Sequence, residues 1–338
     1  MDKKSILRIK DMGFPWETQD PFLFCVYHQD DYPKGNGELG PVGSLAGRNI
    51  GNDFQKKDGW RMYHGEKVPG FPEHPHRGFE TVTFVLEGMV DHADSKGASG
   101  RYGNGDVQWM TAGSGLQHAE MFPLLKEEDK NPLELFQIWL NLPAKSKMVD
   151  PHFKMLWNED IPKVKLNDKE GKVVEIEAVA GNISDTKSLS PAPDSWAADA
   201  ENEVIIWHIK MAKNAKWELP AAKSNVNRSL FFFEGESVEI DGEKIPSQKI
   251  IELDASKTVM LENQNKNSRF LLLQGKPINE QVVQYGPFVM NSKSQIEEAF
   301  NDFKKTRFGG WSWPRPDMVH GKSKGRFAKF ADGKEVVK

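Results

Sequence analysis

The chain has 338 residues, enough for two domains at the usual ~150 residues each, and a net charge of −4 that argues against a dedicated nucleic-acid binder, which carries a basic domain. Hydrophobic content of 38% with a mean hydropathy of −0.61 is ordinary for a globular protein with two modest cores. The single cysteine, Cys25, excludes an internal disulfide, no apolar run reaches the ~20 residues of a membrane helix, and residues 1–6 lack the apolar core of a signal peptide. These features point to a cytoplasmic protein.

Residues 5–11 alternate, with Ile6, Arg8 and Lys10 opposed to Leu7 and Ile9, and 21–27 form a short apolar run; both read as strands. Residues 28–70 are rich in glycine and turn formers. A loop of this length in a compact domain is usually functional or mobile. It is expected either to pack Trp60 and Tyr63 over a barrel edge or to act as a lid, with Trp60, Met62 or His64 touching substrate.

The chain is organised around residues 73–82, where two histidines stand one residue apart and lead into an alternating strand. Positions i and i+2 share a face of a strand, so His74 and His76 aim both imidazoles at one point. A second pair with the same spacing follows, His118-Ala119-Glu120. On facing strands the two pairs bring three neutral nitrogens and one carboxylate together, a donor set for iron, zinc, copper, nickel or manganese. Four protein ligands leave two positions open on an octahedral ion, as catalysis requires.

From Phe79 to Met121 short strands alternate with glycine turns, which argues for an all-β barrel or sandwich. Residues 133–142 form a further strand, with Phe136, Ile138 and Leu140 on one face and Gln137, Trp139 and Asn141 on the other. The second half repeats the first: the apolar run 230–233 before Glu234-Gly235 echoes 83–86 before Glu87-Gly88. At the offsets of His74 and His76 the repeat carries Ala221 and Lys223, and no histidine lies between His208 and His320. The second half is therefore read as structural. Residues 181–203 read as a loop or weak helix. Ser292 and Gln295 form a capping box that opens a helix over 293–305, with Ile296, Ala299, Phe300 and Phe303 on one stripe. Residues 321–338, with six basic and two acidic side chains, read as a solvated tail.

The text at 71–82, at 106–113 and at 118–121, with further matches at 139–142, 147–149 and 285–291, resembles the pirin family of the cupin superfamily over roughly residues 5–305. The resemblance implies two tandem cupin-type β-barrels with a short C-terminal helix. It implies an N-terminal metal-binding domain over 1–150 with the 28–70 insertion, a C-terminal cupin domain over 151–291 without ligands, and a helix and basic tail over 292–338. It makes Fe(2+) the metal and Glu120 the fourth ligand. Other cupins use a glutamate a few residues after the histidine pair; Glu80 fits that spacing and is expected to face with the histidines. Thr111 stands where those cupins often have proline.

The implied activity is quercetin 2,3-dioxygenase-type ring opening of a flavonol by dioxygen with release of carbon monoxide, Glu120 also serving as the base. The alternative is an iron-binding, redox-sensing module that contacts a transcription factor or metabolic enzyme. Glu80, Met110, Gln137 and Trp60 are candidates for the substrate pocket. His28, His64, His92 (placed in a turn), His152 and His208 read as packed or polar residues, and Cys25 as a buried thiol.

Overall fold

The computed structural model describes residues 4–223 and 225–338, so residues 1–3 of the opening stretch lie outside the described residues. They form two compact units, Met1–Cys25 with Glu159–Asn279, and Val26–Asn158 with Glu280–Lys338. The expected boundaries cut the chain into consecutive blocks; the observed units instead exchange their ends. The opening residues join the second barrel, and everything after Asn279 joins the first.

After β1 (Ile6–Asp11), the first barrel is built from β2 (Phe22–Tyr32), β3 (Gly70–His76), β4 (Phe79–Glu87), β5 (Met89–Asp94), β6 (Ser99–Gly103), β7 (Val107–Thr111), β8 (Leu116–Met121), β9 (Asn131–Asn141) and β10 (His152–Leu156). One sheet runs β10-β7-β4-β9-β2; the other contains β6-β5-β8-β3, with β3 at its edge. Register decides what fills the interior. Thr83 of β4 lies opposite Gln108 and Gln137, and Thr81 opposite Met110 and Trp139. Thr83 reaches Glu120 of the other sheet, so this row faces inward, while Val82, Phe84, Trp109 and Ile138 lie on the opposite face. Around Glu120 the interior of the first barrel is thus polar, with an apolar cluster that includes Val85, Tyr102 and Leu135 in the same unit.

Among its described residues, the second barrel shows no such polar row at its centre. Its strands are β11 (Lys163–Asn167), β12 (Val173–Ala180), β13 (Ile205–Met211), β14 (Lys216–Leu219), β15 (Asn227–Glu234), β16 (Ser237–Ile240), β17 (Glu243–Pro246), β18 (Lys249–Leu253), β19 (Val259–Asn263) and β20 (Ser268–Gly275). They form the sheets β1-β18-β15-β20-β13-β12-β11 and β14-β19-β16-β17. Trp207, Ile209, Leu230, Phe232, Phe270 and Leu272 of the first meet Trp217, Leu219, Val238, Ile240 and Leu261 of the second in one buried apolar cluster. Between β12 and β13, the 181–203 stretch holds two short 3-10 turns, Trp196–Ala198 and Ala200–Asn202.

The end of the chain comprises β21 (Val283–Tyr285), β22 (Phe288–Met290), α1 (Lys293–Thr306), β23 (Phe327–Lys329) and β24 (Glu335–Val337). Ser292 caps α1 by accepting from Gln295 N, and Ile296 and Ala299 are its buried residues. The tail is not a solvated end. β23 pairs with β6 and β24 with β23, extending the sheet of the first barrel. Arg101, buried and forked onto Asp91 at 2.6 and 2.8 Å, donates to the carbonyls of His320, Gly321 and Lys324. A buried guanidinium needs all its donors satisfied, and the tail supplies three acceptors.

The 28–70 stretch takes the packed form of the two expected, not that of a lid. Its first residues belong to β2, and Trp60, Met62 and Tyr63 are buried in the same cluster as Tyr32, Tyr102 and Trp157. The Arg48 guanidinium lies 3.4 Å from the Trp60 ring centroid. A chain of buried polar contacts holds the segment: His28 Nδ1 to Tyr63 Oη at 2.7 Å, Tyr63 Oη to Asp30 at 2.6 Å, and Asp30 to Arg61 at 2.9 Å. Burial, assisted by the Arg61 charge, lowers the His28 pKa to about 3. The unfolded chain therefore binds a proton that the folded chain refuses between pH 6.5 and about 3. Stability should fall as pH drops through that window, by up to about 1.4 kcal/mol per unit from this group. Urea unfolding at stepped pH should show a shallower decline for His28→Asn than for the parent.

Candidate metal centre

The edge strand β3 delivers His74 and His76, and β8, paired with it in the register His74↔His118, delivers His118. One ring nitrogen from each of the three lies within 4.8 Å of the others, and no second such cluster of three or more donors occurs among the described residues. The ring centroids are 4.4 Å apart for His74 and His118 and 4.9 Å apart for His76 and His118. Backbone carbonyls select the tautomers: His74 Nδ1 contacts Pro72 O at 2.8 Å, and His76 Nδ1 contacts Pro287 O at 3.4 Å. A proton on Nδ1 leaves each Nε2 lone pair for an ion.

Glu120, two residues after His118, stands on the same face. Its Oε2 lies 3.7 Å from His118 Nε2 and accepts from Gln137 Nε2 at 2.8 Å, and its Oε1 accepts from Thr83 Oγ1 at 3.2 Å. Burial lowers the pKa of all three imidazoles, most strongly for His76 and His118, where the neighbouring histidines add to the effect. All three are neutral, the form that donates to a metal.

These residues fit a cation, and the orphaned atoms are the test. The His118 ring is fully buried and neither nitrogen makes a hydrogen bond to the protein. Thr81 Oγ1 and Gln108 Nε2, both on the inward row, are buried without partners as well. Buried polar groups are nearly always satisfied, so a ring with two unsatisfied nitrogens, set among two further imidazoles, marks a place for an ion.

The remaining predicted site residues separate into two groups. Gln137 and Met110 are on the interior face, Gln137 in direct contact with Glu120. Glu80 is not: it lies three residues from Thr83, on the outer face, and accepts from Thr111 Oγ1 at 2.7 Å. The spacing argument fails because the chain turns between the strands at Gly78, which has φ 86°, and this resets the alternation. Trp60 is likewise not at the site; it is held in the core beneath Arg48.

Two further residues matter, Trp139, which the sequence sets on one strand face with Gln137, and His92, which it placed in a turn. Trp139, half-buried, sets its ring edge against His76 at 5.2 Å and stacks on Phe79 at 4.0 Å. His92 lies in β5, not in a turn, opposite Glu120 in register, with its ring 5.5 Å from that of His118 and its Nε2 3.2 Å from Asp94. Alternation from Val90 through Asp94 was the available signal. In the second barrel Ala221 and Lys223 are exposed, and His208 is engaged by Glu177 at 2.7 Å.

The arrangement predicts a graded response in bound metal, measured by elemental analysis after anaerobic loading. His118→Ala should abolish stoichiometric binding. Gln137→Leu, which leaves Glu120 without its amide donor, should weaken binding about 10- to 100-fold. Glu80→Gln should leave it unchanged.

Comparison with known proteins places this geometry in a family. A model described as Pirin matches residues 46–140, and one described as the Pirin C-terminal cupin domain matches 206–309. Pirin of Rattus norvegicus is 35% identical over 277 residues, 79% of this chain and 89% of that protein. A Pseudomonas aeruginosa protein named provisionally as a quercetin 2,3-dioxygenase is 35% identical over 239 residues, 71% of this chain and 79% of that protein. The crystal structure of quercetin 2,3-dioxygenase from Acinetobacter baumannii superposes with a TM-score of 0.71 at 28% identity, covering 91% of this chain and 99% of that one. With both barrels matched in order and the histidine pair set in the first, the chain belongs to the pirin family of the cupin superfamily.

Proposed function

We propose that the protein is an iron-dependent dioxygenase that opens the ring of a flavonol such as quercetin, and that it works in the cytoplasm. The observation that carries this reading is the buried His118 ring, without a hydrogen bond at either nitrogen, among two further histidines and a carboxylate. The likeness to a quercetin 2,3-dioxygenase over nearly the whole chain supplies the substrate class.

In this reading His74, His76 and His118 hold Fe(2+), with Glu120 as the fourth protein donor. The ion, when bound, supplies the redox chemistry by which dioxygen and flavonol react to give a ring-opened ester and carbon monoxide. The chain's own residues do the rest. Gln137 and Thr83 fix the two oxygens of Glu120, so the carboxylate is aimed to take the proton of the flavonol 3-hydroxyl. Trp139, backed by Phe79, offers a flat apolar wall for a planar molecule and keeps water from the adjoining His76. Gln137, Trp139 and His74 are the partly exposed members of the group, which puts the approach for substrate on their side. Met110 closes the interior behind them.

The direct assay loads the protein anaerobically with Fe(2+) and follows quercetin absorbance after dioxygen is admitted. Loss of absorbance with matching oxygen uptake is expected for the parent, and none for His118→Ala. An iron-loaded parent that leaves quercetin untouched would contradict the dioxygenase reading and favour a binding module.

A further inference from the structure

Residues 310–317 lie beyond both family-model matches, which end at 309, yet they touch the strands that carry the histidines. Trp313 Nε1 donates to Asp94 O, at the end of β5, at 2.7 Å. Three residues later, Pro316 O accepts from Glu73 N, on β3, at 2.8 Å. In the sheet β8 lies between these two strands, so the segment crosses from one side of His118 to the other. β8 is held as well: Gln117 Nε2 donates to the carbonyls of Arg307 and Gly310 at 2.8 and 3.2 Å. The segment is itself braced, Trp311 Nε1 donating to Arg315 O at 2.9 Å and Arg315 Nε pairing with Asp317 at 2.6 Å.

The need for such a brace follows from the position of β3. It is the edge strand of its sheet, bridged on its outer side at Gly70 by the 62–64 segment, and its register with β8 shifts between Phe71 and His74. A bulge locally breaks the ladder and leaves a residue unpaired, and edge strands open at low free energy. Glu73 is in the bulge, immediately before His74, and its amide finds its partner in Pro316 rather than in the sheet. His74 is also the least buried of the three histidines. A multidentate site loses its ion one ligand at a time, and His74 on its frayable edge is the first that can leave.

We propose that residues 307–317 form a clasp that retains the resident metal ion, with Trp313 as its principal positioning residue and the Pro316 carbonyl its contact to the His74 strand. The clasp rests on the metal-binding reading of the triad. It acts on the rate of metal loss and contributes no ligand.

The test uses the full chain loaded with nickel(II), an air-stable ion suited to imidazole, and follows transfer to excess EDTA. Trp313→Phe keeps an aromatic ring, smaller than indole, and deletes the N–H; it should release nickel about 3- to 10-fold faster than the parent, in keeping with one lost hydrogen bond. Trp313→Ala should release it at least as fast. Hydrogen exchange at the Glu73 amide should accelerate in both. Trp207→Phe, which deletes the indole N–H donated to Gly181 O at 3.1 Å in the second barrel, is the control for general stability and should release nickel at the parental rate. Release at the parental rate in both Trp313 variants would overturn the proposal, as would release from Trp207→Phe accelerated to the same extent. A parent that takes up no nickel would overturn the triad reading itself, and the clasp as a metal device with it.

Discussion

Three neutral imidazoles turned toward one buried point form an arrangement that a protein does not stabilise by itself. Each ring gives up hydration on folding, and His118 recovers no hydrogen bond for either nitrogen, a cost of roughly 1–3 kcal/mol per unsatisfied group. Most of the first barrel's unusual features answer to that constraint. Its inward row carries Thr81, Thr83, Gln108 and Gln137 where a barrel would ordinarily carry hydrocarbon. Backbone carbonyls pin the tautomers of His74 and His76, and Gln137 turns the Glu120 carboxylate toward His118. A cation at the centre makes each of these choices favourable.

The second barrel provides the contrast within one chain. Its strands have the same all-β character, but Trp207, Phe232, Phe270 and Leu272 fill the interior where the first barrel sets Thr83, Gln108 and Gln137. Buried ion pairs such as Arg101 with Asp91 tie the tail to the first barrel.

The convergence of the three histidines was legible because the period-2 alternation of a strand converts directly into a shared direction, and both pairs sit within single strands. The same rule misled for Glu80, since counting across the turn at Gly78 assumes a continuous strand. The repeat was legible from the matching strand and Glu-Gly endings, and α1 from its Ser292 cap. Trp60 was not, because a large aromatic in a glycine-rich segment looks the same as a lid or as core; the Arg48 contact that decides it is set by tertiary packing. His92 was hidden by Asp94 and Ser95, which resemble turn formers. The tail looked solvated because its six basic residues say nothing of the carbonyls that Arg101 requires. The exchanged ends of the two units are non-local for the same reason.

The account stands or falls on where a metal binds. Crystals grown anaerobically with Fe(2+), measured on both sides of the iron absorption edge, would give this directly. One anomalous peak at about 2.1 Å from a ring nitrogen of each of His74, His76 and His118, with none in the second barrel, is the result expected. A peak elsewhere, at His208 for example, or an empty centre in iron-saturated crystals, would contradict it.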